Sequence, residues 1–174
     1  LHFWSQTSVL AVAIVATVVL LSPLWLRGAV REPSGVLDAL RGAATTYVLI
    51  TLVLFATLLG GGYGSTSSLW MHLLVPLAAL ADWLLLGTGP RRMPVWVPVT
   101  WMVIPLVYLP FYISASERRP LYRFLDPDAG DFLTWVVMLF LAFLVAGYLV
   151  WGAGRLRLGT GRSTPATPRQ TVRS

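Results

Sequence analysis

The sequence predicts an all-α fold, a polytopic bundle of five transmembrane helices, and three observations predict it. Hydrophobic residues make up 56% of the chain and charged residues 11%, well under the quarter or so that a water-soluble domain carries. The apolar residues gather in five runs, each close to the ~20 residues that a helix needs to cross a ~30 Å hydrocarbon layer. The charged residues fall mostly between those runs and after the last one. Lipid offers no partner to an unpaired backbone group, so each run has to satisfy its own N–H and C=O groups as a helix.

The runs cover residues 3–26, 43–59, 69–86, 95–114 and 132–151. The first opens on Ser5-Gln6-Thr7-Ser8, an unusual density of hydroxyl and amide groups for a spanning segment. The second is the shortest. Trp4, Trp25, Trp70, Trp83, Trp96, Trp135 and Trp151 stand near run ends, where an apolar ring and a polar N–H suit the headgroup layer, whereas Trp101 is interior. The Gly- and Ser-rich segment 60–68 lacks the Gly-Lys-Ser/Thr ending of a phosphate-binding loop and reads as a flexible outer turn. A transmembrane domain over residues 1–152 is followed by a tail, 153–174, of Gly, Arg, Thr, Pro and Ser. That composition cannot bury a core, and the tail is expected to be disordered, its arginines resting on anionic headgroups or simply solvated.

All thirteen basic residues are arginine, and the net charge is +6. If the five runs alternate, Arg27, Arg31, Arg41, Arg91, Arg92, Arg155, Arg157, Arg162, Arg169 and Arg173 share one side, against Arg118, Arg119 and Arg123 on the other. The positive-inside rule then puts the carboxy-terminal tail in the cytoplasm of a multi-pass protein of the cell membrane and the start of the first run outside. Topology accounts for the basic charge, so no nucleic-acid partner is expected. The chain has no cysteine, and no His/Asp/Glu cluster suggests a metal; no cofactor is expected. It opens on Leu1 with no basic segment ahead of the first run, which is read as a truncated start.

Polar groups inside apolar runs are costly and mark candidate sites. His72 lies in the opening turn of the third run, with Pro76 four residues on. Proline has no N–H for the His72 carbonyl, so a kink is expected beside the imidazole. The residue is either a base in a small polar pocket or an interfacial histidine. Asp82, ~15 Å further along the same helix, is either the partner of Arg91 or Arg92 or part of a proton relay. Ser5 to Ser8 either cap the first helix or supply a hydroxyl facing His72, because the first and third runs both start on the outer side. A hydroxyl needs an adjacent base to become a nucleophile. Asp126, in the outer loop 115–131, either orients His72, as the third group of a hydrolytic triad does, or pairs with Arg119 or Arg123.

Met71-His72-Leu73-Leu74-Val75-Pro76 followed by Ala81-Asp82-Trp83-Leu84-Leu85 resembles the central helix of the androgen-induced-protein-like family of six-helix integral membrane proteins, in its bacterial branch. Pro105-Leu106-Val107-Tyr108 fits the same family, and Tyr122-Arg123-Phe124-Leu125-Asp126 is similar to its Tyr-Pro-Phe-Leu-Asp loop, with Arg123 in place of proline. Animal members hydrolyse lipid esters of branched hydroxy fatty acids with an intramembrane threonine and a histidine. The resemblance implies that His72 is that histidine. Phe3-Trp4-Ser5-Gln6-Thr7-Ser8 aligns with the family's aromatic-aromatic-Thr-x-x-Ser pattern and puts Ser5 at the threonine; a one-residue shift puts Trp4 there and removes the nucleophile. The family's first helix would precede Leu1.

Two functions are therefore expected from the sequence. One is an intramembrane lipid-ester hydrolase with Ser5 as nucleophile, His72 as base and Asp126 and Asp82 in support, acting on a lipid-ester substrate that enters from the outer leaflet. The other is a non-enzymatic membrane protein that binds or carries a lipid or small ligand in a cleft at His72 and Asp82.

Overall fold

In a computed structural model of the chain, the described residues are 4–25, 35–86, 93–116 and 119–157. The fold is all-helical, with four helical spans long and apolar enough to cross a membrane: Gly35–Thr57, Thr66–Leu85, Val97–Ala115 and Phe132–Leu156. A fifth helix, α1 (Trp4–Trp25), is apolar over Trp4–Val18. Next comes α2 (Gly35–Thr57). The third span joins α3 (Thr66–Leu69), a π turn (Trp70–Leu74) and α4 (Val75–Leu86). The fourth joins α5 (Val97–Thr100) and α6 (Val103–Ala115), and the fifth is α7 (Phe132–Arg157).

Helix α2 is the hub and packs against α1, α4 and α7. Its buried residues include Asp38, Arg41, Gly42, Thr45, Thr46 and Thr51, so polar and small side chains make up much of the inward face. Val36, Leu40 and Val53 point out. Burial of polar groups against neighbouring helices, with aliphatic residues facing outward, is what a lipid solvent favours. Helix α2 begins at Gly35, not at 43 as apolar content alone suggested. Asp38 and Arg41 interrupt the hydropathy of the sequence, but both turn inward, and the helix runs through them.

Trp101 locks α2 to the last helix. Its ring lies against Gly42 and Gly147, where a Cβ would stand 2.6 Å and 3.3 Å from it. The chain kinks here for a chemical reason. Pro105 has no N–H to give the Trp101 carbonyl, and the Tyr47 hydroxyl donates to that carbonyl at 2.6 Å. The single apolar run of 95–114 is thereby split into α5 and α6.

Not every tryptophan sits in a headgroup belt. Trp70 and Trp96 are exposed, but Trp4 and Trp83 are buried in the core. The Trp83 indole donates to the Val150 carbonyl at 2.8 Å and so fastens α4 to α7. The last helix extends past the expected residue 151 to Arg157, and the Arg155 guanidinium lies 4.3 Å from the centre of the Trp151 ring. Residues 158–174, the greater part of the expected tail, lie outside the described residues.

Candidate functional site

The site is built from the first turn of α1 upward. Trp4 donates its backbone N–H to the Tyr122 hydroxyl at 3.0 Å, which satisfies one of the N–H groups a helix start leaves open. Burial raises the pKa of that phenol, so it stays a neutral acceptor; the Trp4 N–H pulls the other way and Tyr112 adds to the rise. The Trp4 ring packs edge-on against Tyr47, Tyr108 and Phe143, with centroids 5.1 to 5.6 Å apart. One turn on, buried Ser8 donates its hydroxyl to the Ser5 carbonyl at 3.0 Å, and its Oγ lies 2.9 Å from Thr51 Oγ1 on α2. These contacts fix the height and rotation of the helix start that carries Ser5.

His72 is positioned from its own side. Segment 60–68 turns on Gly60 and Gly61, both with positive φ, and Ser65 caps α3 by accepting the Ser68 N–H at 3.2 Å. The expected kink at Pro76 takes the form of the π turn: Val75 N–H bonds the Trp70 carbonyl five residues back, so the ladder widens just before the residue that has no N–H to give. His72 lies in that turn. Its Nδ1 is 3.1 Å from the Ser68 carbonyl and 3.4 Å from Ser68 Oγ, while Phe55 of α2 stacks flat on the imidazole, 3.8 Å between centroids and 8° between planes. A backbone carbonyl can only accept, so Nδ1 carries the proton and Nε2 is left as the basic nitrogen.

Ser5 and His72 line one cavity of about 370 Å³. That is within the size range of small-molecule sites. Aromatic and aliphatic side chains dominate the wall, among them Phe55, Tyr108, Phe140 and Phe143; polar groups come from Ser5, Gln6, Thr51, His72 and tyrosine hydroxyls. The loop of 119–131 adds Tyr122, Phe124 and Leu125. It is held by the Tyr112 hydroxyl, which donates to the Leu125 carbonyl, and by Tyr122 stacked on Tyr112 at 5.9 Å. Among the described residues no hydrogen bond joins Ser5 to His72.

Asp82 and Asp126 do not line this cavity. Asp126 accepts the N–H of Asp128 at 3.1 Å in a turn of its own loop and makes no ion pair with Arg119 or Arg123. In this structure the hydrogen-bond partner of His72 is Ser68. Asp82 does form an ion pair, with Arg41 of α2: Oδ2 accepts from Nη2 at 2.7 Å and from Nε at 3.2 Å. Its expected partners Arg91 and Arg92 lie outside the described residues.

Sequence reasoning missed Ser68, Phe55, Thr51 and Arg41. Ser68 stands four residues before His72, a spacing that puts both on one helix face, and was legible in principle. Arg41 had a signal as well, since Asp38, Arg41, Gly42, Thr45 and Thr46 repeat at three and four residues. No protein-family model, curated protein or solved structure matches this chain.

Proposed function

We propose that this is a multi-pass protein of the cell membrane, its carboxy-terminal tail in the cytoplasm, that cleaves a lipid ester with Ser5 and His72. The observation that carries the reading is the shared cavity: a hydroxyl and an imidazole with its Nδ1 turned to a carbonyl border the same apolar space. His72 Nε2 would take the proton of Ser5 Oγ as that oxygen bonds the ester carbonyl carbon. The imidazolium would return the proton to the alcohol oxygen as the C–O bond breaks. Water, deprotonated in turn by His72, would release the acid and restore Ser5. The aromatic wall suits an acyl chain. Membership of the androgen-induced-protein-like family is part of the proposal, and it rests on the residue patterns around His72, Pro105 and Tyr122.

A second reading has its own support. Ser5 and His72 are not hydrogen-bonded, and the cavity is mostly apolar, as a carrier or receptor for a lipid would need. An alkyl fluorophosphonate separates the two. The hydrolase reading expects a covalent adduct on Ser5, abolished by Ser5→Ala and reduced ~100-fold or more by His72→Ala. Reversible binding of a fatty-acid probe with no adduct, unchanged in both variants, assigns the cavity to carriage.

A further inference from the structure

Away from the cavity, the inner face of α2 carries an imbalance of charge. Asp38 and Arg41 stand one turn apart on α2, and Asp82 reaches Arg41 from α4. Two carboxylates thus share one guanidinium, and the guanidinium is already committed. Both Arg41 Nη2 and Nε bond the same Asp82 oxygen. Asp38 is 2% exposed, and its Oδ1 has no hydrogen-bond partner. Among the described residues, the other charged groups at this end of the elements packed on α2 are the two arginines of the last turn of α7, Arg157 and Arg155, and Arg155 is exposed and lies over the Trp151 ring.

An ionised carboxylate buried with an oxygen that no donor reaches is costlier than the neutral acid, so such a group favours taking up a proton. We propose that Asp38 is a proton-binding site inside the helix bundle, a carboxylic acid that keeps its proton at neutral pH because Asp82 holds Arg41. The site is a coupled one. If Asp38 loses its proton, it becomes a second anion competing for the same guanidinium, and the α2–α4 bond weakens. Helix α4 continues directly from the π turn that carries His72, so the proton on Asp38 and the position of the imidazole are linked through one helix. The inference stands whether or not Ser5 and His72 do chemistry.

The test is infrared difference spectroscopy of the full chain in lipid at neutral pH, wild type against Asp38→Asn. The expected result is a protonated-carboxyl C=O band in the wild type that is lost in the variant. Asp82→Asn frees Arg41 for Asp38 and is expected to remove the same band with Asp38 still present. Matched thermal unfolding and circular dichroism confirm that each variant is folded. A wild type with no such band overturns the proposal, and so does a band that Asp38→Asn leaves in place. A band that persists in folded Asp82→Asn overturns the coupling through Arg41.

Discussion

His72 can act as a base only through a ring nitrogen that carries no proton, and two neighbours hold the ring so that Nε2 is that nitrogen. The Ser68 carbonyl takes Nδ1, and Phe55 fixes the plane of the ring. Phe55→Ala is therefore expected to slow turnover or fluorophosphonate labelling roughly tenfold or more, since small misplacements of a catalytic group are costly. Asp126→Asn is expected to leave the same rates within about twofold, since the Asp126 side chain accepts the Asp128 N–H in its own turn and does not line the cavity. Labelling kinetics on the three proteins check both statements. Ser5 and His72 could be singled out in the sequence because each is a polar group in an apolar run. The Ser68 carbonyl could be picked out only through its place four residues before His72, because a backbone acceptor is the same atom at every position.

Two prolines and two glycines shape the elements. Pro76 removes an N–H just past the π turn and Pro105 frees the carbonyl that Tyr47 uses. Pro76→Ala restores the donor. The turn is then expected to close to regular α-helix, which rotates the preceding residues by ~100° and swings His72 away from Ser5. Labelling of Ser5 should fall while the melting temperature holds or rises. Gly42→Ala drives a Cβ to 2.6 Å from the Trp101 ring and is expected to destabilise the bundle by about 1–3 kcal/mol. Gly147→Ala, at 3.3 Å, should cost less, about 1 kcal/mol or under. Thermal unfolding in a fixed detergent measures the pair. The sequence showed where the proline kink would come, because a missing N–H is a local property. The π form of the turn and the stacking of Phe55 of α2 on His72 are not given by that missing N–H alone.

At the scale of the whole molecule, the exposed helix surface is mostly aliphatic and the interior is partly polar: Ser8 against Thr51, Arg41 against Asp82, Tyr47 against a freed carbonyl. The helical class and the order of the spans were legible in composition and run length. The true start of α2 was not, since hydropathy counts Asp38 and Arg41 as breaks while packing counts them as partners. Ser5 and His72 can act together only because the start of α1 and the π turn open onto the same space. The sequence has no cysteine, so paired substitutions can be read without background. Ser5→Cys with His72→Cys, treated in membranes with a bifunctional thiol reagent short enough to lie within the cavity, should give an intramolecular crosslink that a fatty-acid probe suppresses. Two thiols that never crosslink, and that impermeant reagents reach from opposite faces of the membrane, would contradict the account.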